Sequence, residues 1–319
     1  MKIGIIGGAG YTAGELIRIL INHPFAEICF IHSSSNAGHR VTDVHEGLLG
    51  ETDLCFSDHF DLAGIDVLFL CQGHGQSSAF WNENTLPEGL KVIDLAQDFR
   101  DESDGYVYGL PELNRSRIAA ADKIANPGCF ATAIQLAVLP LAAAGLLKTD
   151  IHVTAVTGST GAGVKPSATT HFSWRTDNLS VYKPFGHQHL AEINRSIKSL
   201  QPSFNADINF VPVRGDFARG IFASVYTDCS LDQQEIDALY RNFYKDSPFT
   251  IVSDKAIDLK QAVNTNKAIV RAEKHGNKIH ITTAIDNLLK GASGQAVENM
   301  NIMAGVDETT GLRLKPSAF

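Results

Sequence analysis

The segment Asn126-Pro127-Gly128-Cys129-Phe130-Ala131-Thr132 delivers a cysteine, through a Pro-Gly turn, to an apolar run that continues through Ile134, Leu136, Ala137, Val138 and Leu141. That run predicts a helix. The unpaired N–H groups and positive dipole end of its first turn favour the anionic, nucleophilic form of the Cys129 sulfur. Proline fixes the approach, glycine lets the backbone turn and leaves room for a substrate, and Thr132 is expected to help cap the first turn. The bland alternative is a small buried hydrophobe, as most unpaired cysteines are. A reactive thiol needs a group that takes and returns protons, and Gly186-His187-Gln188-His189-Leu190-Ala191-Glu192-Ile193 offers one. Leu190, Ile193, Ile197 and Leu200 make a buried stripe, which leaves His189 at the first turn of a predicted helix. Glu192 stands a turn further on, able to orient His189 or to contact substrate. His-x-His also fits polar surface or a metal pair, but no Cys or carboxylate cluster at ligand spacing completes a set, so no metal is expected.

A nucleotide would turn cysteine and histidine into a kit for redox chemistry through a thioester. Lys2-Ile3-Gly4-Ile5-Ile6 is a short apolar strand that ends in Gly7-Gly8-Ala9-Gly10-Tyr11-Thr12-Ala13-Gly14, and a helical pattern through Leu16, Ile17, Ile19, Leu20 and Ile21 follows. Strand, glycine turn and helix bring backbone N–H groups against a pyrophosphate, the pattern of a Rossmann-type dinucleotide site; the alternative is a plain tight turn. The second strand, Glu27 to Ile31, leads into His32-Ser33-Ser34-Ser35-Asn36, with Arg40 close by and no acid at the strand end. Ser34, Ser35 and Arg40 welcome a 2′-phosphate where an acid would repel it, so NADP(H) is expected over NAD(H).

With 319 residues, 44% hydrophobic and 19% charged, the chain has an ordinary globular composition and exceeds one usual core, which points to two domains. A formal charge of −8 without a basic run excludes nucleic acid as the main partner. No apolar stretch is long enough to span a membrane, and the N-terminus enters a strand with no signal pattern. Five cysteines, odd in number and far apart, fit reduced thiols in a cytoplasm. Further strands are predicted at Val67 to Leu70 and Val92 to Leu95, with Cys71-Gln72-Gly73-His74-Gly75 as a wall of the cofactor site. After Cys129 the pattern changes to alternating runs at Ile151 to Val156, Asp207 to Val211, Ile221 to Thr227, Ala268 to Ala272 and Lys278 to Ile285. Two helices interrupt them, at about Leu190 to Leu200 and Gln233 to Phe243. The expected fold class is α/β. Residues 1–128 form a Rossmann-type dinucleotide-binding domain, completed by a C-terminal helix over about 287–319, and residues 129–286 form an α+β domain on a mixed sheet.

Asn126 to Thr132, with Ala133, Ala137, Val138 and Pro140, resembles the active-site signature of N-acetyl-gamma-glutamyl-phosphate reductases, a family related to aspartate-semialdehyde dehydrogenases. The resemblance continues through Gly7 to Leu16, Asp94 to Arg100, Tyr108 to Glu112, Thr157 to Gly163 and Asp286 to Ala292. Two departures stand out. Val164 follows the glycine loop where many members carry a basic residue, and Ala13-Gly14 displaces the usual glycine of the first loop. The resemblance implies Cys129 as nucleophile, His189 as acid/base, NADPH as cofactor, an acyl-phosphate substrate and a homodimer or homotetramer. It also points to Ser159 and Gly161 beside the cofactor and Asn287 bordering the nicotinamide. Arg100 is the candidate cation for the leaving phosphate, its alternative being a solvated arginine, and Arg219 is the candidate for the substrate's carboxylate. Aspartate-semialdehyde dehydrogenase and a non-catalytic NADP-sensing protein remain as alternatives. A sugar-nucleotide epimerase is excluded because no tyrosine has Lys four residues later.

Overall fold

The computed structural model describes residues 1–317. The chain divides into two compact units, one formed by Met1–Pro127 with Ala292–Arg313 and the other by Gly128–Gly291 with residues 314–317.

The first unit begins with β1 (Lys2–Ile6), α1 (Tyr11–Leu20) and β2 (Glu27–His32). It continues through β3 (Val67–Leu70), α2 (Gln76–Glu83), β4 (Lys91–Asp94), β5 (Val107–Tyr108), α3 (Pro111–Ala119) and β6 (Lys123–Ala125). The strands form one parallel sheet in the order β2-β1-β3-β4-β6-β5. Central strands of such a sheet are covered on both faces, which is why β3 reads Val-Leu-Phe-Leu and buries all four residues. Leu68, Leu70, Phe80, Val92, Phe99 and Tyr106 contribute to the core beneath it.

The second unit opens with α4 (Cys129–Ala143), in which every residue from Phe130 to Ala142 is buried. A helix that is apolar all round must be enclosed rather than laid on a surface. It is followed by β7 (Ile151–Thr157), the single turn α5 (Phe172–Arg175), β8 (Ser180–Val181), α6 (His189–Leu200), β9 (Ile208–Arg214) and β10 (Ile221–Asp228). Then come α7 (Gln233–Tyr244), β11 (Thr250–Val252), β12 (Ala268–His275) and β13 (Lys278–Ile285). Their sheet runs β11-β12-β13-β10-β7-β9-β8 and mixes parallel with antiparallel pairs. One face of the sheet packs against α4, α6 and α7, hence the alternating burial of β7, β9 and β10. Polar anchors reach α4's backbone from outside: Tyr240 and Tyr244 hydroxyls donate to the Ala137 and Leu136 carbonyls, each at 2.6 Å, and Thr283 donates to Ala133 at 3.0 Å.

The chain then makes a wide π-type turn over Leu289–Ser293 and enters α8 (Gly294–Met303), which belongs to the first unit and is wholly buried there. Within the C-terminal stretch of about 287–319 the helix itself occupies the ten residues Gly294–Met303. Its polar residues are paired: Asn299 donates to the Gly109 carbonyl at 2.9 Å and to Asn126 Oδ1 at 3.1 Å. Ser293 donates to the Thr12 carbonyl at 2.7 Å.

Candidate active site

Cys129 is the first residue of α4 and is partly buried. Gly128 precedes it as the helix N-cap in an extended conformation, φ −71° and ψ 148°. Thr132 is buried in the first turn of α4, and its N–H donates to the Gly128 carbonyl at 2.9 Å. The positive end of the α4 dipole lies at the cysteine.

Two residues of α6 clasp Gly128. The Glu192 carboxylate accepts the Gly128 N–H at 2.9 Å, and the His189 ring lies so close that a Cβ on Gly128 would stand 2.3 Å from His189 Nε2. Glycine is needed here because the histidine occupies the space, not because the turn demands it. Glu192, expected to orient His189 or touch substrate, spends an oxygen on the backbone beside the cysteine. From the other side Gly291 presses on Cys129, since its Cβ would meet that of Cys129 at 2.8 Å. The π-type turn permits this approach by the bond from Gly291 N–H to the Asp286 carbonyl at 2.9 Å.

His187 has a different environment. Its ring packs edge-on against Phe130, Tyr182, Phe210 and His189, with the His189 centroid 4.5 Å away. Its Nδ1 accepts the His189 backbone N–H at 3.2 Å. Burial, helped by the positive Lys183, depresses its pKa to about 4, so it stays neutral and keeps that acceptor.

The two predicted substrate cations are engaged. Arg219 forms a two-pronged ion pair with Asp286, at 3.1 and 3.0 Å, and Asp286 is fully buried. Arg100, in the first unit, is neither solvated nor a surface cation: its buried guanidinium donates to the Asn126 carbonyl at 2.8 Å and the Leu95 carbonyl at 3.0 Å. Asn287 is 2% exposed and likewise committed, accepting the Gly220 N–H at 2.6 Å and donating to Thr160 Oγ1 at 3.1 Å. It braces the turn Ser159–Ala162, in which the Ser159 N–H is taken by the Phe217 carbonyl at 2.9 Å while Gly161 stays exposed. What the sequence did not suggest is Tyr182, whose ring contacts those of Phe130 and His187 and carries the Arg214 guanidinium 4.7 Å from its centroid.

In the first unit, Gly7 adopts φ +84° at the end of β1, against the Cys71 backbone, where a side chain would collide at 2.9 Å. Gly10 is the N-cap of α1, no side chain caps it, and no acid stands in the first turn. The N–H groups of Tyr11, Thr12 and Ala13 lie in the first turn, at the positive end of the helix dipole; Ala13's own side chain is buried in the core and offers only its backbone. Ser34 and Ser35 are exposed beyond β2, and Asn36 donates to Ser35 Oγ at 3.0 Å. Arg40 is also exposed and lies 3.4 Å from Asp53, an acid absent from the strand-end reading. Both partners of that pair are solvated, so the guanidinium exchanges readily to a phosphate. The donor set fits a phosphorylated dinucleotide.

Residues 2–121 match the family described as semialdehyde dehydrogenase, NAD binding domain, and residues 129–287 that described as semialdehyde dehydrogenase, dimerisation domain. Solved structures share the fold. Aspartate semialdehyde dehydrogenase II complexed with ASA from Vibrio cholerae superposes with a TM-score of 0.73 at 19% identity, over 95% of this chain and 98% of that one. Aspartate semialdehyde dehydrogenase with NADP from Candida albicans gives 0.72 at 15%, over 95% and 98%. Sequence relatives are nearer: N-acetyl-gamma-glutamyl-phosphate reductases of Parabacteroides distasonis and Phocaeicola vulgatus are 61% and 60% identical, and that of Flavobacterium johnsoniae 52%, each over the full length of both chains. Within the semialdehyde dehydrogenases, the chain belongs to the N-acetyl-gamma-glutamyl-phosphate reductase family.

Proposed function

We propose that this chain reduces an N-acyl-γ-glutamyl phosphate to the N-acyl-glutamate semialdehyde, releasing phosphate through a thioester on Cys129, as a step of arginine biosynthesis. The observation that carries this reading is the convergence of His189 and Glu192 on Gly128, directly before a cysteine at the start of a helix. The Cys129 thiolate attacks the acyl carbon, the bond to the phosphate oxygen breaks, and phosphate departs with the electron pair. The thioester keeps the carbonyl electrophilic. NADPH, when bound, supplies the hydride that reduces it. Collapse then breaks the carbon–sulfur bond, freeing the aldehyde and returning the thiolate. His189 takes the thiol proton and holds it near the tetrahedral oxygen, a role worth typically ~10²–10⁴-fold. His187 accepts the His189 N–H and fixes the start of α6, while backbone N–H groups of α4's first turn stabilise the oxyanion.

For the cofactor, Gly7, Gly10, Tyr11, Thr12 and Ala13 hold the pyrophosphate through their backbone, and Ser34, Ser35 and Arg40 hold the 2′-phosphate. Ser159 and Gly161, on the turn braced by Asn287, border the nicotinamide. Residues 1–128 with the C-terminal helix serve the cofactor, and residues 129–286 serve catalysis and self-association into a homodimer or homotetramer. Free cysteines and the lack, among the described residues, of a helix able to cross a membrane support work in the cytoplasm. An NADPH-oxidation assay with N-acetyl-γ-glutamyl phosphate, a larger N-acyl analogue and β-aspartyl phosphate tests the reading. Turnover of the glutamyl substrates is expected; preference for the aspartyl compound would overturn it.

A further inference from the structure

Both cations that the sequence offers to the substrate are committed, Arg100 to two carbonyls and Arg219 to Asp286. Arg175 is committed as well: its buried guanidinium donates to the Thr169, Asn178 and Arg214 carbonyls and to Ser180 Oγ. A dianionic acyl phosphate that also carries a carboxylate still needs a positive partner near the thiol.

Arg214 is placed for that task. It ends β9, where the two-residue alternation puts it on the same side of the sheet as Phe210, and Phe210 packs on Phe130 and His187. Its guanidinium lies over the Tyr182 ring. Tyr182 is held by its N–H to the Pro212 carbonyl at 3.1 Å, and its ring centroid is 6.5 Å from that of Phe130, the neighbour of Cys129. The packing on Phe130, the residue after Cys129, brings the pair towards the thiol, and burial raises the Tyr182 hydroxyl pKa well above its ordinary value. Among the described residues Arg214 forms no ion pair with a carboxylate, and its buried Nε has no hydrogen-bond partner. Arg175 fixes the main chain behind it by the 2.7 Å bond to its carbonyl.

We propose that Arg214, stacked on Tyr182, is the oxyanion receptor of the Cys129 site, binding either the phosphoryl group or the carboxylate of the acyl phosphate. The inference rests on the reductase reading and names the residue that gives it substrate affinity. Neither Arg100 nor Arg219 then contacts the substrate's anionic groups.

The test is steady-state kinetics of Arg214→Gln and Arg214→Lys in both directions. The Gln variant should raise the KM for the acyl phosphate at least about tenfold, more than it lowers kcat, as loss of a charge-assisted contact does. The Lys variant should recover part of this. In reverse, a rise confined to the KM for inorganic phosphate assigns the phosphoryl group, and a rise confined to the aldehyde assigns the carboxylate. Unchanged KM values for all three in a folded variant would overturn the proposal. Should Arg214→Gln not fold, protection of Cys129 from iodoacetamide is compared between the parent enzyme and Arg214→Lys, with inorganic phosphate and N-acetylglutamate as the protecting anions. Protection by at least one anion must weaken in Arg214→Lys, and equal protection would overturn the proposal. A parent enzyme that turns over no acyl phosphate would instead refute the reductase reading itself.

Discussion

Replacing Gly128 with alanine should damage catalysis without damaging the fold. The backbone there has φ −71° and ψ 148°, which alanine adopts freely, so the change carries no conformational strain. What it adds is one methyl group, 2.3 Å from Nε2, 2.6 Å from Cε1 and 2.7 Å from Cδ2 of His189. Gly128 cannot retreat easily, because Glu192 holds its N–H at 2.9 Å. The ring must therefore move, and ordinary contact begins only near 3.4 Å. A displacement of about 1 Å at a catalytic group costs roughly 10²-fold in rate, close to ~2.7 kcal/mol of transition-state stabilisation. Single-turnover NADPH oxidation by Gly128→Ala should show this loss, with NADPH affinity and thermal melting near those of the parent. Gly186→Ala is the control, since the nearest atom to its Cβ is the Pro184 oxygen at 3.8 Å. A well-folded Gly128→Ala enzyme with its rate within about threefold of the parent would show that the position of His189 does not matter as argued.

Asp286→Asn should destabilise the protein by roughly 3–5 kcal/mol in chemical denaturation, because it strands Arg219 and sets an amide against the backbone N–H groups now bound to the carboxylate. Asp94, fully buried at the end of β4, has its pKa raised by burial from 3.8 to about 6. The folded state thus binds its proton more tightly than the unfolded chain does, so stability is fullest below about pH 4, falls as pH rises towards 6 and is level above it. Asp94→Asn, which can still accept from Ser77 and the Ala96 N–H, should therefore be more stable than the parent at neutral pH, with the gap closing in acid. A denaturation series across this pH range checks both the sign and the window. For the cofactor, Arg40→Ala should lower kcat/KM with NADPH about tenfold relative to NADH, and an unchanged ratio would pass the role to Ser34 and Ser35.

The chemistry-bearing local patterns were legible because each is carried by adjacent residues. The glycine turn after β1, the cysteine after Pro-Gly and the histidine at the start of α6 all depend on a few neighbours in sequence. So do β3 and β13, whose observed limits match those expected. What escaped depends on distant partners. Arg219 and Asp286 lie 67 residues apart and Arg100 and Asn126 lie 26 apart, so no local pattern reveals that these cations are already paired. Gly128 was assigned room for substrate, whereas a histidine 61 positions on fills that space. The two-residue strands β5 and β8 exist only because a neighbouring strand supplies their hydrogen bonds, and propensity cannot find them. Tyr182 stands in a segment with no periodic signal and Arg214 lies just past the alternating run expected to end at Val211, and packing around Phe130 and Phe210 joins them.

The covalent intermediate on Cys129 bears most directly on the account. Enzyme mixed with its acyl phosphate and no NADPH should release phosphate once per site and carry one acyl group, seen by mass spectrometry on the peptide that contains Cys129 and removed by hydroxylamine. Cys129→Ser should show neither signal, because a serine hydroxyl is not ionised at neutral pH as a thiolate is. Acylation that persists in Cys129→Ser, or full reduction by an enzyme that never becomes acylated, would contradict the thioester route and the role of every residue gathered around it.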